Sequence, residues 1–244
     1  MKALILNFLF AILTFQGFSE DSSGRAFREA NMLLANGRVK EALEVFGRLQ
    51  SRGFQSASLY NNMAIAFKKN GETGKAVLYI EKALLLSPFD KDLRNNRKLL
   101  VSTLKSSHTR NSAGWVSLVI AFSKVLQLVS VVLFFISSVL FLLKVFYPRQ
   151  VYQTIYRIVL SLFIVFASVF AFALIHNTFN RQAIVVSKAG EGKTGPALNA
   201  QSVFLLQEGE RIRIVREFEG WYKVENAERR SAWVLAKYIE PVNP

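Results

Sequence analysis

The spacing of apolar residues takes four different forms along the 244-residue chain. At the start, Lys2 precedes an apolar stretch from Ala3 to Phe15, and Gly17-Phe18-Ser19 puts small residues at the −3 and −1 positions of a cleavage site. Residues 1–19 therefore read as a signal peptide, either removed or kept as an anchor, because the stretch is too short to cross a hydrocarbon layer about 30 Å thick. Residues 20–110 have helical periodicity and repeat themselves. Ala30, Leu33, Gly37, Ala42, Phe46 and Leu49 recur 34 residues later as Ala64, Phe67, Gly71, Ala76, Ile80 and Ala83. That period predicts stacked helix–turn–helix units at about 23–56 and 57–90, in which small residues let two helices approach closely. A more polar helix over 90–105 follows, with Arg94, Arg97 and Lys98 at the equivalent positions and a stripe of Leu93, Leu100 and Leu104. It fits the solubilising cap that a repeat array needs.

Two long apolar tracts come next. Residues 125–143 and 158–175 hold no charge over 19 and 18 positions. As helices they reach about 27–29 Å, close to the hydrocarbon thickness, and too little soluble sequence surrounds them to bury both. We place transmembrane helices at 122–144 and 157–177, joined by a loop at 145–156. Residues 115–123 fit either an interfacial segment or the extension of a tilted first span. Trp115, Tyr147, Tyr152 and Tyr156 suit the interfaces. Lys144, Arg149 and Arg157 frame a loop without acids, which the positive-inside rule puts in the cytoplasm, with both long flanks outside.

From residue 181 to 242 the pattern shortens to β segments. Residues 183–187, 203–206, 211–217, 221–225 and 231–235 are rich in Val, Ile and aromatics between Gly or charged turns, and Arg211 to Arg216 alternates as a half-buried strand does. Five short strands in about 60 residues predict a small barrel filled by its own side chains. The chain thus reads as multi-domain: an all-α repeat array, a two-helix transmembrane hairpin and a small all-β barrel.

Charge and composition narrow the chemistry. The chain has 31 Lys+Arg, 17 Asp+Glu, 2 His and no Cys. Disulfides, thiolate metal sites and a cysteine nucleophile are excluded, and His108 and His176 cannot make a multi-histidine site. Half of the net charge of +14 lies in residues 20–113, spread without a long run, which describes a solvated surface rather than a nucleic-acid footprint. Gly190-Glu191-Gly192-Lys193-Thr194-Gly195 has a phosphate-loop look, but no helix opens after it to point amides at an anion. No catalytic constellation, cofactor site or metal site stands out, so the chain reads as a non-enzyme.

Three resemblances follow from these residues. The repeat resembles the tetratricopeptide (TPR) family, whose pattern is met by Tyr60, Met63, Ala64, Phe67, Ala76, Ile80 and Pro88; Glu29 and Phe54 depart from it in the first unit. The resemblance implies a concave groove lined by the first helix of each repeat. There Asn61, Asn62, Asn95 and Asn96 would bond an extended peptide, and Lys68, with Lys69, would attract a carboxylate. The same asparagines fit the alternative of tying one repeat to the next.

The tail resembles bacterial SH3-like domains through Gly195-Pro196, Leu206, Glu208-Gly209, Gly220-Trp221-Tyr222-Lys223-Val224, Trp233-Val234 and Tyr238-Ile239, with Ala232 where Gly is frequent. Trp221, Tyr222 and Tyr238 would line an aromatic ligand groove. Core packing competes for the same residues, and Trp233 reads as core. The order of parts over the whole chain resembles the BatE-type family of aerotolerance (Bat) operon proteins. That implies a scaffold in the cytoplasmic membrane with both binding modules outside. Its partners would be von Willebrand A-domain membrane proteins and, indirectly, a MoxR-type ATPase, with a role in envelope integrity or oxidative-stress tolerance. A membrane anchor that binds peptidoglycan and recruits wall enzymes is the alternative.

Overall fold

The computed structural model describes residues 20–102, 104, 123–146, 150–179, 181–188 and 190–242. The signal-peptide reading of 1–19, His108, and the interfacial segment 115–122 with Trp115 lie outside the described residues, as do Tyr147 and Arg149. The chain divides into two compact units.

The helical unit contains α1 (Glu20–Ala35), α2 (Val39–Ser51), α3 (Ala57–Lys69), α4 (Thr73–Leu86) and α5 (Lys91–Ser102). Its 34-residue repeat is visible in the helix ends. Ser56 Oγ accepts from Leu59 N at 3.0 Å to cap α3. Thirty-four residues on, Asp90 Oδ1 accepts from Asp92 N and Leu93 N to cap α5. After α1 and α3 the chain turns through Gly37 and Gly71, both at positive φ (77° and 81°). Arg38 N donates to Leu33 O and Glu72 N to Phe67 O, so each turn satisfies carbonyls that the helix leaves open. Connections of three to five residues make neighbouring helices fold back on one another.

Between the helices, Ala30, Ala42, Ala64 and Ala76 are almost wholly buried, allowing the close approach that their spacing predicts. Phe46 and Ile80 fill the same place in successive units, and Phe27 packs against Phe46 and Phe54. The polar helix α5 buries Leu93 and Leu100. Arg97, at a position where the repeat pattern expects an apolar residue, is held by Glu81 of α4 at 2.5 Å. A guanidinium tolerates that burial because a carboxylate meets it.

In the second unit, α6 (Ser123–Phe146) and α7 (Gln150–Phe179) form a hairpin. Phe134 meets Phe163 and Phe141 meets Tyr156, so the helices run antiparallel. Spans at Val125–Leu143 and Gln153–Phe172 are long and apolar enough to cross a membrane. Only 11% of the first and none of the second is buried, the opposite of core helices in a soluble fold. The connection is shorter than the sequence pattern predicted. Residues 150–156 were expected in the loop and are helical, because nothing between Gln150 and Tyr156 breaks a helix. Hydroxyls on the hairpin return to their own helix: Ser130 donates to Leu126 O, Ser138 to Phe134 O and Ser168 to Ile164 O. Such bonds remove the cost of a bare hydroxyl in an apolar layer.

The tail is one antiparallel sheet of seven strands: β1 (Gln182–Val185), β2 (Gly190–Lys193), β3 (Ser202–Leu206), β4 (Arg211–Phe218), β5 (Trp221–Glu225), β6 (Ser231–Leu235) and β7 (Ile239–Pro241). Their order is β3-β2-β6-β5-β4-β1-β7, and a 3-10 turn at Ala236–Tyr238 leads into β7. Five of the strands match the sequence pattern. The two it did not predict are short β7 and glycine-rich β2, whose Gly-Glu-Gly-Lys has no strand signature. Gly192 in β2 lies so close to Phe204 and Ala232 that no side chain fits there. The phosphate-loop look of this run therefore comes from packing. Ala183, Val185, Phe204, Leu206, Ile212, Ile214, Val224, Ala232, Val234 and Ile239 form the core.

Candidate functional site

Two groups of residues stand as candidate binding surfaces, one in each unit. In the helical unit the asparagines form a ladder across α1, α3 and α5. Asn62 Nδ2 donates to Asn31 Oδ1 at 2.8 Å, and Asn96 Nδ2 donates to Asn61 Oδ1 at 2.9 Å. Within α3, Asn61 Nδ2 donates to Asn62 Oδ1 at 3.4 Å, a long bond. The first helices of successive repeats are thus joined by amides, the role that competes with peptide binding. An amide has two donors and two acceptor lone pairs, so each keeps spare capacity for a ligand's backbone.

Asn95, one position away, is exposed and outside the ladder, and Lys68 is exposed at the end of α3. Three of the expected residues, Asn61, Asn62 and Asn96, are therefore brought together and two are not. Asn31 is the member that repeat comparison missed, since it lies 31 residues before Asn62 and off the 34-residue period. Nearby, Tyr79 stacks on Phe67 at 5.1 Å and its hydroxyl donates to Gln50 of α2. Burial pushes the Tyr60 hydroxyl pKa up. Just before α4, the Glu72 carboxyl is held below the usual range, first by its hydrogen bond from Lys75.

In the sheet, register decides which aromatic points where. Tyr222 is opposite Val234 and Val224 is opposite Ala232, all facing the core. Trp221, Lys223, Trp233 and Leu235 share the outer face, with Trp221 opposite Leu235 and Lys223 opposite Trp233. Two expectations change. Tyr222 and Tyr238, expected to line a ligand groove, pack against the core cluster as partly buried residues. Trp233, read as core, is on the outer face and half-buried, because Val234 and Ala232 take the inward positions. Trp221 is also on the outer face but only 8% exposed.

Phe218, which the sequence reading passed over, meets Trp233 edge to face with centroids 6.4 Å apart. Burial, and then the Glu217 carboxylate, push the Tyr222 hydroxyl pKa up. Lys193 is occupied within the sheet's own loop, donating to Leu198 O and Ala200 O. Among the described residues no cluster of three His, Asp or Glu converges on a point where a metal ion could sit.

Comparison with known proteins places one part of this architecture. Residues 193–240 match the bacterial SH3 domain family, covering the sheet from the end of β2 into β7. A bacterial SH3 domain is a protein-binding or cell-wall-binding module rather than a catalytic one. No curated protein matches the chain.

Proposed function

We propose that the protein is a non-enzymatic scaffold of the cytoplasmic membrane that displays two binding modules, TPR repeats at 20–110 and the SH3 domain, on the extracytoplasmic side. The observation that carries this reading is the combination, in one chain, of an N-terminal helical array, two exposed membrane-length helices and a bacterial SH3 match. Support for the TPR assignment comes from the caps and turns that recur at 34 residues, Ser56 with Asp90 and Gly37 with Gly71. Sidedness is argued from the basic, acid-free connection between the helices and from the even number of spans, which returns the chain to one side. The hairpin tethers both modules to one surface, so weak contacts made by each combine through high effective concentration.

The partners that fit the BatE-type resemblance are von Willebrand A-domain membrane proteins and, through them, a MoxR-type ATPase. Crosslinking the full-length protein in native membranes, followed by detergent co-purification, tests this. Recovery of A-domain membrane proteins is expected, and its loss in Asn62→Ala or Asn96→Ala would place the contact on the asparagine ladder. Recovery of wall fragments or wall enzymes instead would overturn the Bat assignment. The bacterial SH3 match is compatible with that second reading, a peptidoglycan-binding anchor, as it is with protein binding, and pelleting of the detergent-solubilised protein with purified sacculi distinguishes the two.

A further inference from the structure

α7 ends at Phe179 and β1 begins at Gln182, so at roughly 3.5 Å per residue the sheet starts within about 10 Å of the helix end. The first residues after the helix are fastened to β4. Arg181 O accepts from Ile214 N at 2.8 Å, and the Arg181 guanidinium pairs with Glu217 at 3.5 Å. The stretch of β4 around this junction has an unusual exterior. Val215 follows buried Ile214 and points outward, 53% exposed; a register shift between Ile214 and Arg216 then brings Arg216 to the same face, opposite Lys223, and Phe218 is 45% exposed. Arg216 is opposite Lys223, which is opposite Trp233, so one row across β4, β5 and β6 holds two cations and a ring, beside a second, apolar row of Phe218, Trp221 and Leu235. Among the described residues neither Arg216 nor Lys223 makes an ion pair.

We propose that this outer face of β4–β5–β6, with Val215, Phe218 and Trp233 as apolar contacts and Arg216 and Lys223 as cations, docks on the anionic lipid surface beside the hairpin. The inference rests on α6 and α7 crossing the membrane. Apolar side chains beside cations form the pattern that enters a headgroup layer, and anionic lipids reward the charge. Lipid is the occupant because the two-residue connection between α7 and β1 keeps this stretch of β4 close to the end of the hairpin, whereas a protein partner has to arrive. Docking restricts the rotation of the SH3 domain and leaves its opposite side free for ligand.

The absence of cysteine allows a direct test. Single nitroxide labels are placed at Val215→Cys, at Phe218→Cys and, as reference, at Leu205→Cys. Leu205 is 71% exposed on edge strand β3, four strands from β4. The full chain is reconstituted into nanodiscs of phosphatidylethanolamine with about a quarter phosphatidylglycerol. Accessibility to oxygen is then compared with accessibility to a water-soluble nickel complex. The ratio at 215 and 218 is expected to exceed that at 205 by about fivefold, and to fall to the reference in an Arg216→Glu/Lys223→Glu background or in phosphatidylcholine alone. Equal ratios at all three sites overturn the proposal. So does protection at 215 and 218 that persists in uncharged detergent, since it marks a protein contact instead. Release of the chain by alkaline carbonate would separately overturn the membrane-spanning premise.

Discussion

Replacing Gly192 by alanine puts a methyl group where the sheet has no room. A Cβ at this position lies 2.7 Å from Ala232 Cβ and 3.0 Å and 3.1 Å from two atoms of the Phe204 ring. Carbon atoms rest at about 3.5–4.0 Å, so all three contacts are repulsive. The methyl of Ala232 is bonded directly to the backbone of β6 and cannot swing away. Either β2 and β6 must separate, or Phe204 must leave its rotamer. Overpacking of this kind costs about 1–3 kcal/mol. Alanine returns about 0.4–1 kcal/mol by restricting the unfolded chain, which leaves a net loss of about 1–2 kcal/mol. For a domain of this size each kcal/mol lowers the melting temperature by about 4–8 °C, so a fall of about 5–15 °C is expected. The assay is thermal unfolding in detergent, followed by the fluorescence of Trp221 and Trp233 in a Trp115→Phe background. Gly195→Ala is the control, because no atom lies within 4 Å of its Cβ, and it should melt like the parent. A Gly192→Ala protein that melts at or above the parent temperature would refute the close-packing account of this glycine run.

Three further outcomes follow from the geometry. Glu81→Ala removes the carboxylate that meets the half-buried Arg97 guanidinium and should cost the helical unit about 3 kcal/mol in urea unfolding followed by circular dichroism, while Glu81→Leu with Arg97→Met should recover most of it. Asn62→Ala should cost about 1 kcal/mol through the lost bond to Asn31, whereas exposed Asn95→Ala should stay within about 0.5 kcal/mol of the parent. Tyr222 holds its proton more tightly folded than unfolded, so the sheet should lose stability as pH rises above the ordinary value of 10.0, and Tyr222→Phe should flatten that part of the pH–stability curve.

The features legible in the sequence were those that local periodicity or spacing encodes. Ala30, Ala42, Ala64 and Ala76 announce helix–helix contact because only a small side chain lets two backbones approach, and they are buried as expected. The apolar tracts announce membrane-length helices because no charge interrupts them. Strands β4, β5 and β6 announce themselves by β-branched and aromatic residues. Strand β2 does not, because its glycines answer to Phe204 and Ala232, residues distant in sequence.

The candidate sites show where such reading stops. Repeat comparison finds Asn61, Asn62 and Asn96 but not Asn31, because a hydrogen bond between α1 and α3 follows the packing of the helices and not the period of the sequence. In Trp221-Tyr222-Lys223-Val224 and Ala232-Trp233-Val234 both faces of the strand hold large apolar side chains, so alternation leaves open which face is the core. Cross-strand register resolves it, sending Tyr222, Val224, Ala232 and Val234 inward and Trp221 and Trp233 outward. A shift of one residue would have exchanged the two sets. Helix, span and strand were therefore written in the order of residues, whereas the amide ladder and the cationic, aromatic exterior arose only when distant segments were paired in a definite register.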